Sequence, residues 1–219
     1  MRIAVIGGTG PQGRGLAYRF ALAGHTVVVG SRDADRAAEK AVLIEAKVGA
    51  DGGSVSGATN TAATDGADVV VLAVPWEGHA ALVESLATGL AGKVVVSCVN
   101  PLAFDSAGPY GLALQESAAQ EVQRLVPSAR VVGAFHHVAA LSLWRTPTML
   151  EHEDVLVCGD DPRAKLVVME LAAAVTGHEG VDVGGLRLAR QLEPLTAVLI
   201  NINKRYETRS GIAITGIEV

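Results

Sequence analysis

The chain has 219 residues, of which 49% are hydrophobic, and its formal net charge is −5. Such a chain can bury a sizeable core as one large domain, or one and a half, and this excludes a disordered protein. The acidic balance argues against a partner made of nucleic acid. The first apolar run is too short for a signal peptide, and no run reaches transmembrane length. We therefore expect a cytoplasmic protein without a membrane partner.

The two cysteines, Cys98 and Cys158, lie far apart, each beside apolar residues typical of a strand. This spacing forms neither a CxxC redox motif nor a zinc motif, so we expect buried free thiols in a reducing compartment. Histidines outside the site predicted below have no partner at metal-ligand spacing, and no bound metal is expected.

The N-terminal residues predict a dinucleotide-binding unit. Met1–Ile6 is an apolar strand, and Gly7–Gly13 is a glycine-rich turn with the spacing GxGxxG. Apolar residues then recur at helical spacing up to Gly24, and the β-branched run Thr26–Val29 predicts a second strand. A strand, turn and helix in this order direct backbone N–H groups at a pyrophosphate. The turn residues that we expect to bind it are Gly8, Thr9, Gly10, Pro11, Gln12 and Gly13.

The end of the second strand indicates which dinucleotide binds. A site for NAD usually has Asp or Glu here, whereas this chain reads Gly30-Ser31-Arg32. A carboxylate would repel a 2′-phosphate, while the Ser31 hydroxyl and the planar Arg32 guanidinium bind one well. Arg36, one helical turn further on, and Thr9 can reach the same phosphate. The sequence therefore predicts NADP; the alternative is that both arginines are solvated charges at a helix start.

Helices and strands alternate in the rest of the first 135 residues. We expect a helix over Ala34–Lys47, a glycine-rich loop over Gly49–Gly57, a buried strand over Asp68–Val74, a helix over His79–Leu90, a strand over Lys93–Cys98, a loop over Asn100–Gly111, a helix over Leu112–Leu125 and a strand over Arg130–Phe135. This alternation predicts an α/β fold with a Rossmann-type, doubly wound parallel sheet.

The pattern changes after Phe135. His136–Glu153 is expected to be irregular, Val155–Cys158 a strand, and Pro162–Thr176 a helix with Asp161 as its N-cap and Gly177 as its end. A short strand over Val181–Val183 and a helix over about Leu188–Asn203 follow. We predict two parts, an NADP-binding domain over residues 1–150 and a smaller C-terminal α/β lobe over residues 151–219.

Ligands of an open parallel sheet bind beyond the carboxyl ends of its strands. We therefore expect the nicotinamide and its reaction partner near Val74, Pro75, Trp76, Asn100, Pro101, His136, Val138 and Ala139. Plainer interpretations exist for some of them: Trp76 could cover the sheet end, His136 could cap a loop, and Asn100-Pro101 is a turn signal.

The chain lacks the proton donors of common dehydrogenases. No tyrosine has a lysine four residues later, and no lysine has an asparagine four residues later. Reduction of a carbonyl needs a proton donor, for which only His136 or His137 is available. Hydride transfer between two stacked rings needs none, because it depends on holding the reacting carbons about 3–3.5 Å apart.

Four segments in this order resemble the NADPH-dependent oxidoreductases of the deazaflavin coenzyme F420: Gly7–Ala17, Gly30–Arg32, Val74–Trp76 and Val157–Asp161. The resemblance covers nearly the whole chain. It implies a homodimeric enzyme that transfers a hydride directly between NADP and F420, stacked in a cleft that the C-terminal lobe closes. It also implies that Thr9, Ser31, Arg32 and Arg36 hold the 2′-phosphate and that His136 and Val138 line both rings.

The chain departs from this pattern after Asn201, where it is more basic. Lys204, Arg205 and Arg209 could attract the phosphate and polyglutamate groups of the deazaflavin, whereas a solvated helix end is the simpler interpretation. Two other functions also fit the sequence. One is an NADPH-dependent reductase of flavins, ferric iron or cyclic imines. The other is a non-catalytic NADP-sensing regulator, which the short second lobe disfavours.

Overall fold

A computed structural model describes residues 1–217, which are built around one eight-stranded sheet. Its strands stand in the spatial order β10-β9-β8-β5-β4-β1-β2-β3. They are β1 (Arg2–Ile6), β2 (Thr26–Ser31), β3 (Val55–Thr59), β4 (Val69–Leu72), β5 (Val94–Ser97), β8 (Arg130–Gly133), β9 (Leu156–Gly159) and β10 (Val181–Gly184). A separate antiparallel hairpin consists of β6 (Leu102–Asp105) and β7 (Gly108–Gly111).

The sheet is mostly parallel. Every pair of neighbouring strands in it is parallel except β8 and β9. The chain runs outward from β1 to β3, returns to β4 on the other side of β1, and continues to β8. The predicted Rossmann-type fold is confirmed, and its topological switch point, where such folds bind dinucleotides, lies between β1 and β4.

Helices cover both faces of the sheet. They are α1 (Pro11–Leu22), α2 (Ala34–Val48), α3 (Asn60–Thr64), α4 (His79–Ser85), α5 (Ala87–Leu90), α6 (Ala118–Leu125), α7 (Ala140–Arg145), α8 (Pro162–Thr176) and α9 (Ala189–Tyr206), and a 3₁₀ turn (Leu186–Leu188) precedes α9. Side chains alternate along β1, so Ile3 and Val5 pack in the core with α1, α2, α7 and α8, while Ala4 and Ile6 pack in the core with α3 to α6.

Local capping signals predicted α8 correctly. The Asp161 carboxylate accepts the N–H of Ala164 at 2.8 Å, Pro162 is the first helical residue, and Gly177 ends the helix in the left-handed region at φ 86°. These bonds involve neighbours in sequence, which is why composition alone reveals them.

The predicted loop over Gly49–Gly57 is wrong only at its end, because β3 begins at Val55 and pairs with β2, whereas residues 49–54 form neither helix nor strand. The glycine that suggested a loop has a packing role instead: a Cβ on Gly57 would lie 2.3 Å from the backbone carbon of Ala37 in α2. Gly57 therefore lets a helix approach the sheet closely, and a glycine in a strand can indicate this kind of contact.

The predicted loop over Asn100–Gly111 is also wrong, since it contains the β6–β7 hairpin. Both glycines that suggested a loop lie against α9: a Cβ on Gly111 would be 2.5 Å from Cβ of Pro194, and one on Gly108 would be 2.6 Å from Oδ1 of Asn201. The glycines thus permit contact with a helix nearly a hundred residues away, which no local pattern reveals.

Three further boundaries differ from the prediction. The helix expected over Leu112–Leu125 begins only at Ala118, because Ser117 caps it in a capping box with Gln120. The helix expected over His79–Leu90 breaks at Leu86. The segment expected to be irregular after His136 contains α7, which the buried guanidinium of Arg19 stabilises by donating to carbonyl oxygens of Ser142, Leu143, Thr146 and Thr148.

Residues beyond 150 extend the sheet begun by the first part of the chain. β9 pairs with β8 and β10 pairs with β9, while α8 packs on one face and α9 crosses toward the β6–β7 hairpin. Within residues 1–217, no helix combines the length and apolar character that crossing a bilayer requires.

Candidate functional site

The turn after β1 has the geometry of a phosphate cradle. Gly7 has φ +77°, and a Cβ there would lie 2.4 Å from the carbonyl oxygen of Ala73. A Cβ on Gly8 would lie 2.8 Å from O of Val5, and one on Gly13 2.6 Å from O of Gly7. Side chains at these positions would collide with backbone atoms, so only glycine fits there. The absence of side chains lets a ligand approach the backbone of the turn closely.

The first turn of α1 completes this cradle. The helix begins at Pro11, its N-cap Gly10 makes no side-chain hydrogen bond, and its first turn contains no acidic residue. The N-terminal amides of α1 therefore lack a side-chain acceptor, and the positive end of the helix dipole faces the turn. Both features fit the pyrophosphate of a dinucleotide.

A cavity of about 370 Å³ extends from this turn past the end of β2. All four residues predicted to hold a 2′-phosphate line it: Thr9, Ser31, Arg32 and Arg36. The nearest acid in sequence, Asp33, is engaged elsewhere, because its carboxylate caps α2 by accepting the N–H groups of Asp35 and Arg36. Glu77 also lines the cavity; it follows β4, which is not a neighbour of β2 in the sheet.

Two buried polar side chains of this cavity were missed by the sequence analysis. Asn60, at the start of α3, has a buried Oδ1 with no hydrogen-bond partner among the described residues, and so does Nε2 of His79. Nδ1 of His79 lies 2.6 Å from a carboxylate oxygen of Glu121. No local pattern could have revealed this pair, because Glu121 is 42 residues away and belongs to a different helix.

A second cavity, of about 590 Å³, joins the first along Gly10, Ala73, Val74 and Pro75. It brings together most of the residues predicted to surround the nicotinamide. These are Val74, Pro75, Asn100, His136, Val138 and Ala139, and Gly10, Pro11 and Gln12 of the predicted pyrophosphate turn line the cavity as well. One continuous cleft therefore leads from the two arginines, past the glycine-rich turn, to an apolar chamber.

Four predicted residues are not part of the walls of these two cavities. The Trp76 ring stacks on His79, with centroids 5.5 Å apart, and packs against the core on one face of the sheet. Pro101 lines a different cavity, beside Glu193 and Pro194. Gly8 and Gly13 lie beneath the turn rather than on the cavity wall, where they determine its shape.

Hydrogen bonds from three elements fix the segment after β8. Phe135 adopts a left-handed backbone at φ 62°, and the Gln12 amide of α1 donates to its carbonyl at 3.2 Å. The carbonyl of His136 accepts from Asn100 at 2.9 Å and from Thr196 of α9 at 2.7 Å. The chamber wall is therefore held by α1, the end of β5 and α9, and strained backbone of this kind is common at functional sites.

Burial favours the uncharged form of the two histidines and the cysteine that line the chamber. Burial, with a smaller contribution from His137, lowers the pKa of His136 to about 3. Burial also lowers the pKa of His137, whose Nε2 lies 2.7 Å from the Asp154 carbonyl. The pKa of Cys98 is raised by burial to about 12, and its thiol donates to O of Leu72. Burial therefore acts against a charge on each of these three groups.

The far wall of the chamber comes from α9 and the tail after it, and of its residues the sequence had suggested only Arg209 as a contact of the deazaflavin. Thr196, Leu199, Ile200 and Asn203 line it, followed by Thr208, Arg209 and Ser210. The four helical positions have the spacing i, i+3, i+4, i+7 of a single helix face, a signal that the sequence contains. That this face meets β4 and β5 across a cleft depends on the fold.

The residues present fit a flat, partly polar ring. Leu199, Ile200 and Val138 provide apolar contact, and Asn100 has a buried Oδ1 that lacks a hydrogen-bond partner among the described residues. A ring that carries a carboxamide could satisfy this acceptor, which would otherwise remain costly to bury. The glycine cradle and this acceptor together match the pyrophosphate and the carboxamide of a nicotinamide dinucleotide.

Comparison with known proteins agrees with this geometry. Residues 2–101 match the family described as NADP oxidoreductase, coenzyme F420-dependent. The F420-dependent NADP reductase of Methanothermobacter thermautotrophicus is 40% identical over 99% of this chain and 96% of its own length. The enzyme of that name from Methanocaldococcus jannaschii is 36% identical over the full length of both chains.

A solved structure extends the comparison to the fold. A protein from Arthrobacter sp. FB24, provisionally named an F420-dependent NADP reductase, superposes with a TM-score of 0.81 over 98% of this chain and 100% of its own, at 29% identity. Sequence identity along the whole length and the shared fold lead to the same conclusion: the chain belongs to the F420-dependent NADP reductase family.

Proposed function

We propose that this protein transfers a hydride directly between NADP(H) and the deazaflavin coenzyme F420. The observation that carries the proposal is the pair of adjoining cavities, which extend from a phosphate cradle to an apolar chamber where burial lowers the pKa of both histidines. The names of the full-length relatives agree with this activity.

Each part of the cleft has a distinct role in the proposal. Thr9, Ser31, Arg32 and Arg36 bind the 2′-phosphate, the turn from Gly8 to Gly13 binds the pyrophosphate, and Val74, Pro75, Asn100, His136, Val138 and Ala139 surround the rings. When both cofactors are bound, the nicotinamide and the deazaflavin supply and accept the hydride. The chain contributes orientation and exclusion of water, which account for most of the catalysis of such a transfer.

The neutral histidines of the chamber favour this reaction over reduction of a carbonyl or an imine. Those reactions need a proton delivered in the active site, whereas burial keeps His136 and His137 in the neutral form. A hydride moving between two stacked rings requires close contact and a fixed angle, which apolar walls such as Leu199 and Ile200 can impose.

Mixing the protein with NADPH and F420 and following the visible absorbance of the deazaflavin tests this proposal. We expect the absorbance to bleach with saturation kinetics in both substrates. The matched reactions replace F420 by FMN, by ferric citrate or by a cyclic imine, and we expect little turnover. Tight NADPH binding with rapid turnover of one of these three instead would contradict the proposal, and binding without any turnover would favour a regulator.

We also propose a homodimer in the cytoplasm. Phe104 and Tyr110 of the β6–β7 hairpin and Val198 of α9 are large apolar side chains exposed on elements that contact each other. A second copy of the chain could cover them. The buried free thiols of Cys98 and Cys158 suit a reducing compartment. In this proposal, residues 151–219 act as the lobe that closes the ring chamber from the side of α9.

A further inference from the structure

The apolar chamber has one permanently charged side chain in its lining. Arg209 lines it together with Thr208 and Ser210, whereas the other described residues of the wall are apolar, polar or uncharged histidines. The Arg209 side chain is exposed to solvent and forms no ion pair within residues 1–217. A guanidinium at the mouth of an apolar chamber is therefore available to an anion.

The backbone around Arg209 is fixed on both sides. α9 ends at Glu207 in a left-handed conformation, and the N–H of Thr208 then donates to the carbonyl of Asn203 at 3.2 Å. The N–H of Ser210 donates to Oδ1 of Asn203 at 2.5 Å. These bonds reverse the chain direction immediately after the helix, so that Arg209 returns to the chamber on a tight turn.

The tail is also attached to the segment before β9. The N–H of Asp154 donates to O of Ile212, and the N–H of Ile214 donates to the Asp154 carboxylate, both at 2.6 Å. Arg209 is consequently held between two anchored points, although its side chain remains free to reorient. The exposed Lys204 and Arg205, on the last turn of α9, do not line the chamber. The tertiary structure thus separates Arg209 from its basic neighbours.

We propose that Arg209 binds the anionic side chain of the deazaflavin, through its phosphodiester or first carboxylate, while the ring occupies the chamber. This inference rests on the hydride-transfer proposal. A ring with a charged side chain must leave that side chain at the mouth, because burying an unpaired anion among apolar residues is costly. A guanidinium pairs with phosphate or carboxylate oxygens in a two-pronged geometry.

The test compares two deazaflavins and two variants. The substrates are F420 and the same ring bearing only its ribityl group, which has no phosphate or carboxylate. For the wild type we expect a lower KM for F420. In Arg209→Gln the KM for F420 should rise about three- to tenfold, as expected for an exposed charge pair, with kcat and the KM of the truncated ring unchanged. Arg205→Gln is the matched control and should leave all four values unchanged.

Added salt gives a second, independent measurement. The KM of the wild type for F420 should rise between low and high sodium chloride, because the pair is exposed to solvent, and Arg209→Gln should show little of this rise. An equal rise of KM for both deazaflavins in Arg209→Gln would indicate a structural role for the tail and would overturn the inference. Unchanged KM values for both would overturn it as well.

Equilibrium binding separates this inference from the proposed reaction. Each deazaflavin is titrated in the absence of NADPH and followed by its fluorescence. One outcome is that no turnover occurs, while the wild type binds F420 more tightly than the truncated ring and Arg209→Gln does not. This outcome would contradict hydride transfer and support the role of Arg209. If the enzyme turns over but the wild type binds the two deazaflavins with equal affinity, hydride transfer is supported and the role of Arg209 is contradicted.

Discussion

At the scale of single residues, the proposed specificity for NADP depends on a few side chains around a turn without side chains of its own at three positions. Gly7, Gly8 and Gly13 leave no room for a Cβ, and this forces the backbone itself to face the ligand. Ser31 and Arg32 then provide a hydroxyl and a guanidinium where an NAD site would have a carboxylate. The simplest explanation for a hydroxyl and a guanidinium in place of a carboxylate is that they recognise the 2′-phosphate of NADP.

The variant Arg32→Ala tests the hypothesis that Arg32 binds the 2′-phosphate of NADP. It should lose at least one charge-assisted hydrogen bond to the 2′-phosphate, worth about 1.5–3 kcal/mol, so that the Kd of NADPH rises about ten- to a hundredfold. The Kd of NADH, which lacks this phosphate, should hardly change. Both are measured by titration calorimetry, with Arg163→Ala, an exposed arginine of α8, as control. Equal losses of affinity for the two dinucleotides would contradict the assignment.

At the scale of elements, α9 links the chamber to the far face of the sheet. One of its faces lines the cleft from Thr196 to Asn203, while Glu193, one turn earlier, points into the protein and is 2% exposed. The Glu193 carboxylate accepts the N–H groups of Ala118 and Ala119 at 2.9 and 3.0 Å, at the start of α6. It therefore fixes α9 against α6, and the chamber wall depends on this contact.

Glu193 makes the stability of this contact dependent on pH. Burial raises its pKa from 4.5 to about 7, against the opposing effect of the two N–H groups. The folded protein therefore holds this proton more tightly than the unfolded chain between these values. The contribution of Glu193 to stability is greatest below about pH 4.5 and is lost as the pH rises through 7. At about 1.4 kcal/mol per pKa unit, the loss amounts to at most about 3 kcal/mol.

Urea unfolding of the wild type and Glu193→Gln at pH 5 and pH 8 measures this contribution. The glutamine keeps an acceptor but cannot ionise, so the variant should lose less stability than the wild type between these two pH values. Other groups titrate in both proteins and cancel in the difference. An equal loss of stability in both proteins would show that Glu193 keeps an ordinary pKa. In that case the N-terminus of α6 stabilises the charged carboxylate enough to offset the effect of burial.

At the scale of the whole molecule, one sheet serves both parts of the chain. Strands β9 and β10 continue the sheet past β8, and α9 then returns over the strand ends to close the cleft. The hairpin that follows β5 packs on α9 and leaves Phe104 68% exposed. The helix that lines the chamber therefore also carries, together with the hairpin, the exposed apolar surface.

The variant Phe104→Glu tests the proposed dimer. Burying this carboxylate against a second copy would cost several kcal/mol, so the variant should have the mass of a monomer at micromolar concentration. Leu166→Glu is the control, since Leu166 is 57% exposed but lies on α8. We expect the wild type and the control to have the mass of a dimer in light scattering after gel filtration. A wild-type monomer, or a dimeric Phe104→Glu, would contradict the proposed interface.

Predictions from sequence succeeded where the signal is local. The glycine-rich turn, the Asp161 cap with Pro162, and the buried strands around Val69 and Val94 all depend on neighbours in the chain. They failed where a residue serves a distant partner: Gly57 and Gly111 were interpreted as loop residues, although each makes room for a helix. The pairing of His79 with Glu121 was missed for the same reason.

The amino-acid sequence by itself determined the fold class, the dinucleotide cradle and the residues at the end of β2, because backbone freedom, strand propensity and charge act within a few residues. Only the tertiary structure decided that one face of α9 closes the cleft, that Trp76 packs beside it, and that Arg209 returns to its mouth. Those outcomes depend on which surfaces remain to be buried after the sheet has formed. This is a property of the whole chain and of no single segment.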